Sequence, residues 1–142
     1  MKTWLPLSFI LLLFCFSCRN EMRKLNYGKD NCEQCRMTVM NPQFGAGILT
    51  SRGKVFTFDS GECMVRYLKA KGVNPNDQYF VSDYTKPGTL INAMKASFLH
   101  GDNVQSPMGG NLAAFSSITS AQAARSELGG DLLTWAQLVS KK

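Results

Sequence analysis

Cys32-Glu33-Gln34-Cys35-Arg36-Met37 places two thiols and a thioether within one short stretch of chain. Such sulfur donors are soft, and soft donors select Cu(I) over Mg, Ca or Mn. In an extended backbone Cys35 and Met37 leave the same face, their α-carbons about 6.6 Å apart at roughly 3.3 Å per residue. A thiolate and a flexible thioether can therefore converge on one ion, and Cys32 can turn back to the same point as a CxxC pair does. Two or three sulfurs satisfy Cu(I), and a shell that open leaves room for an acceptor to bring its own ligands. The thiols must first ionise, which from a pKa near 8.5 costs about 2 kcal/mol at pH 7. Capture then releases a proton and weakens in acid.

Other chemistries use the same residues. A structural zinc site wants four Cys, His or carboxylate ligands, for which the chain offers Cys32, Cys35, Cys63 and its single histidine, His100. Met37 would then be incidental. A redox CxxC opens a helix after a strand in a thioredoxin-like βαβ unit, and no such unit surrounds Cys32 and Cys35. A plain disulfide across Cys32 and Cys35 is a third alternative.

The cluster follows a leader. Lys2 precedes an apolar run of roughly a dozen residues, a length that suits a signal-peptide core and falls short of the ~20 a spanning helix needs. The run ends Phe16-Ser17-Cys18, which resembles a bacterial lipobox with Cys18 as the acylated, mature N-terminus. Residues 1–17 read as the lipoprotein signal peptide, 18–30 as the lipidated cysteine and a polar tether, and 31–142 as one domain. The alternative at the leader is ordinary secretory cleavage that releases a soluble protein. Both put the cluster outside the cytoplasm. The formal charge of +6 falls by one when Lys2 leaves, and the scattered cations form no nucleic-acid patch. Of the five cysteines, Cys15 goes with the leader and Cys18 with lipid, which leaves Cys32 and Cys35 as a pair and Cys63 buried alone.

The elements that must position these residues are α+β. Phe44–Thr50 and Lys54–Phe58 read as a hairpin turning at Ser51-Arg52-Gly53. Ser60 caps a helix with Met64, Tyr67 and Leu68 on one side, and Gly72 ends it. Tyr79-Phe80-Val81 and Ala96–His100 read as further strands. Asn111–Ser117 then leads into a helix from Thr119 to Leu128, stopped by Gly129-Gly130 and followed by a strand at Asp131-Leu132-Leu133. Phe58-Asp59-Ser60 before the first helix parallels Phe115-Ser116-Ser117 before the second. The order strand-strand-helix-strand occurs twice, so the chain reads as two related ββαβ halves of one domain.

Met108, between Pro107 and Gly109-Gly110, lies on a tight turn and reads either as a further ligand or as packing. His100, Met40, Met94 and Cys63 read as bystanders or core. No nucleophile–base pair, carboxylate dyad or phosphate-cradling glycine loop occurs, so the chain does not read as an enzyme.

Several separated motifs occur together: Cys32-x-x-Cys35-x-Met37, Phe44-Gly45-Ala46, Gly53-Lys54-Val55-x-x-Phe58-Asp59-Ser60, Val81-x-Asp83-Tyr84, Pro107-Met108-Gly109-Gly110 and Ala114-Phe115. In this order they resemble the NosL family across roughly residues 31–135. The resemblance implies a lipoprotein that binds Cu(I) and acts as a copper chaperone in the maturation of nitrous oxide reductase. It also implies a fold of two related ββαβ halves, with Cys35, Met37 and Met108 as ligands and Cys32 assisting. The expected protein is thus an extracytoplasmic, membrane-anchored Cu(I) carrier, periplasmic in setting, that meets a copper-accepting apo-metalloenzyme and its assembly machinery. The runner-up is a membrane-tethered thiol–disulfide protein acting through Cys32 and Cys35. A third reading is an anchored binding module whose cysteines only staple a loop.

Overall fold

The computed structural model describes residues 20–140, so the expected leader and the expected lipid site at Cys18 lie outside the described residues. The first half holds β1 (Ala46–Leu49), β2 (Val55–Phe58), α1 (Gly61–Lys71) and β3 (Gln78–Ser82), with a short β4 (Leu90–Asn92) added. The second holds β5 (Ser97–His100), β6 (Leu112–Phe115), α2 (Ile118–Leu128) and β7 (Asp131–Thr134), and α3 (Trp135–Ser140) closes the chain. The sheets run β2-β1-β3-β4 and β6-β5-β7, antiparallel throughout. In both halves the first strand lies between the second and third, so the halves share one ββαβ topology, as the sequence predicts. Both helices start alike. Ser60 Oγ accepts from the Cys63 N–H and Ser117 Oγ from the Ser120 N–H, and Gly72 and Gly129 end the helices at positive φ.

Sequence patterning misses β4 and α3 because three and six residues carry too little periodicity to register. Residues 20–30, expected as a bare tether, carry no regular element, yet they lie across the first sheet. Leu25 is buried, Met22 and Leu25 cover Gly47 and Gly45, and Tyr27 shares a hydrogen bond with Ser82. A side chain on either glycine would collide with this strap, so glycine in the strand marks a close approach.

The two halves are joined through the core. Trp135 of α3 packs on Tyr79 of β3 and Phe98 of β5, with ring centroids 5.3 and 6.4 Å away. Asp83 bridges to Ala114 just beyond the end of β3, and the Tyr84 N–H donates to Ala114 O. Burial raises the Asp83 pKa, but polar contacts with Ser116 and Thr85 outweigh it and hold the carboxyl below its usual range; the Thr85 N–H and Oγ1 donate to Oδ1, while Oδ2 has no partner. Asp83 thus braces the Thr85 turn at the point where the backbone crosses between halves. Asp83→Ala should lower stability by about 1–3 kcal/mol in urea denaturation, by stranding the groups it accepts from. A change within a few tenths would refute this role.

Candidate metal centre

The chain from Gly28 to Val39 doubles back on itself. The Gly28 N–H donates to Val39 O, the Val39 N–H to Asp30 O, and Asn31 bridges to Thr38. At its tip the Cys32 N–H donates to Met37 O at 2.8 Å and the Arg36 N–H to Cys32 O at 2.9 Å. Arg36 turns the chain with φ 67°, a left-handed conformation that L residues adopt at a cost. This tight loop neither opens a helix nor belongs to a βαβ unit. Two bonds fix it to β2: the Glu33 N–H donates to Thr57 O at 2.8 Å, and Thr57 Oγ1 donates to Asn31 O at 2.8 Å.

Docking there carries Cys32 to the end of β2, where Phe58-Asp59-Ser60 turns into α1. Cys63 lies in the first helical turn, three residues past the cap. The sulfurs of Cys32, Cys35 and Cys63 all lie within 4.8 Å of one another. All three are free thiols; Cys32 and Cys63 are fully buried and Cys35 is half-buried. Cys63, expected to be buried alone, is buried against the other two. The available signal was its place in the first turn after Ser60, where the positive helix end favours a thiolate.

The three thiols differ in kind. A hydrogen bond from Cys63, joined by the Cys35 and Asp59 N–H groups, outweighs burial and lowers the Cys32 pKa to about 5. Holding that proton raises Cys63 far above the ordinary thiol range, with burial adding to the rise. Burial also raises Cys35, against the pull of the Met37 N–H. Asp59, buried beside Cys32, is raised by desolvation first. Of the three, Cys32 is thus the thiol favoured to ionise and Cys63 the one favoured to keep its proton, with Cys35 at the mouth of the cluster.

The methionines separate. Met37 is 57% exposed at the edge of the Cys loop. Met108 is half-buried and packs on the same core cluster as Cys32, Cys35 and Cys63. Its loop lies on the first turn of α1, because Gly110 presses against the Glu62 side chain. Met40 and Met94, expected in the core, are exposed at 64% and 62%. His100 sits at the exposed end of β5 and does not join the thiol group.

Two antiparallel sheets, helices begun by serine caps and three thiols gathered at one cap define a small α+β domain with a site suited to a soft metal ion. The chain belongs to the NosL family, whose model matches residues 25–142. Its fold is similar to that of the copper chaperone NosL from Shewanella denitrificans, seen in a crystal structure with a TM-score of 0.75 and 22% identity. The match covers 87% of this chain and 98% of that one. A comparison with curated proteins gives no match.

The depressed Cys32 pKa sets a pH dependence. A group whose folded pKa lies below its unfolded value near 8.5 adds stability that is complete above that value and is lost as pH falls through about 5. The metal-free, reduced protein should lose this contribution between pH 8.5 and 5, and Cys32→Ser should flatten the profile there. Thiolate absorbance near 240 nm should show one of the three thiols still ionised at pH 6. Three ordinary thiol titrations would contradict this picture.

Proposed function

We propose that this protein is a Cu(I) metallochaperone, held outside the cytoplasm by lipid at Cys18, that hands copper to an apo-metalloenzyme during its assembly. The observation that carries the proposal is the meeting of three sulfurs within 4.8 Å, two sealed and one at the surface. Three thiols without a fourth Cys, His, Asp or Glu in the same group suit a low-coordinate soft ion better than structural zinc. A cation captured between these sulfurs displaces the remaining thiol protons to solvent. Cys32 and Cys63 then retain the ion while Cys35, with Met37 beside it in the chain, gives an incoming acceptor a route to exchange ligands. Met108, whose loop lies on α1, is taken as a further neutral ligand. Family membership supports copper as the cargo and nitrous oxide reductase as the client, and the protein acts as a carrier rather than a catalyst.

Thiol–disulfide exchange fits the geometry less well. The thiol with the lowered pKa, Cys32, is fully buried, whereas attack on a partner's disulfide needs an accessible thiolate. A competition titration of the reduced full-length protein against a chromogenic Cu(I) chelator should show tight binding of no more than one copper per chain. Cys35→Ser and Cys63→Ser should each weaken it at least about a hundredfold, equivalent to about 2.7 kcal/mol. Met37→Leu should weaken it about tenfold and leave thiol reactivity intact. Failure of the reduced wild type to bind copper would sink the proposal.

A further inference from the structure

Glu62 follows the Ser60 cap and immediately precedes Cys63 in the first turn of α1. It is only 7% exposed, an unusual place for a carboxyl group. One oxygen, Oε1, accepts a hydrogen bond from Ser106 Oγ, and Oε2 has no partner. Ser106 is itself buried, and its Oγ accepts from the Asn111 N–H at 2.9 Å. Between these anchors the chain runs Pro107-Met108-Gly109-Gly110. The Gly109 N–H donates back to Ser106 O, and a Cβ at Gly110 would run into the Glu62 side chain. Ser106 thus ties both ends of the Met108 turn together, and the Glu62 carboxyl, next to Cys63 in the chain, holds Ser106. A buried carboxyl with an unpaired oxygen is costly, and packing alone does not account for it.

We propose that Glu62 is a positioning residue for the metal site: its carboxyl group latches the Met108 turn onto the first turn of α1, the turn that carries Cys63. This role rests on the Cu(I) reading above and on Met108 as a ligand. Met108 itself sits on a loop centred on glycine, where a thioether would otherwise sample many positions. Partners that orient a metal ligand from outside its shell typically change affinity by about 10–100-fold when removed.

Two readouts test the latch, one of them independent of copper. In Glu62→Ala, hydrogen exchange at the Gly109 and Asn111 amides should quicken at least about tenfold, although their own acceptors on Ser106 are untouched. Unchanged exchange would overturn the latch whatever the protein binds. Cu(I) affinity, measured by chelator competition, should fall about tenfold or more in both Glu62→Ala and Ser106→Ala. Glu62→Gln keeps an acceptor for Ser106 and should recover most of that loss. In a Met108→Leu background the same substitutions should cost nothing further, because the ligand they position is gone. An equal loss with and without Met108, or no loss at all, would reduce Glu62 to a structural role. A wild type that binds no copper, yet whose turn loosens in Glu62→Ala, would overturn the metal reading and the positioning role while the contact itself stood.

Discussion

Everything at the candidate metal site depends on how the loop that precedes the first strand is pinned to the strand that precedes the first helix. Glu33 and Thr57 make that connection with two bonds, each 2.8 Å long. Without them Cys32 and Cys35 would form a mobile pair at the edge of the domain, and Cys63 would be a buried thiol with no chemistry. With them, the sulfurs meet where Ser60 caps α1 and where N–H groups and the helix dipole favour negative charge. The resulting cluster is asymmetric. Two thiols are buried, with Cys32 the more readily ionised of them, and one stands at the surface.

The repeat explains why this site occurs once. The second half copies the first in strand order, in its serine cap and in its glycine stop, yet at the position of Cys63 it carries Ser120, whose N–H bonds to Ser117 Oγ as that of Cys63 bonds to Ser60 Oγ. Among the described residues, no sulfur loop docks beside that second cap. The second half instead contributes from a distance: the stretch before β6 carries Met108 and Ser106 across to α1, and α3 delivers Trp135 to the aromatic seam. The site therefore depends on both halves being joined, which gives buried Asp83 at that junction an indirect part in it.

Much of this was legible in the sequence, for physical reasons. Alternating strands, serine caps and glycine stops are local signals, and they place the hairpin, both long helices and the doubled ββαβ order. CxxC followed by methionine marks a candidate soft-donor site because sulfur spacing is also local, and two of its three sulfurs belong to the thiol group the fold assembles. Cys63 was not legible in the same way, since its pairing with Cys32 is made by a loop docking across the chain. Its first-turn position and the glycines at 45 and 47, which accommodate Leu25 and Met22, were the sequence features that hinted at long-range contacts. Met40 and Met94 failed for the converse reason: an apolar side chain in a short loop has no periodicity to say which way it faces.

If Cys32, Cys35 and Cys63 act as one centre for a soft ion, copper K-edge X-ray absorption on the Cu(I)-loaded full-length protein will show it. The predicted result is a low-coordinate first shell made of sulfur, which loses one sulfur scatterer in Cys63→Ser. A shell dominated by nitrogen or oxygen, or one indifferent to Cys63→Ser, would contradict the account.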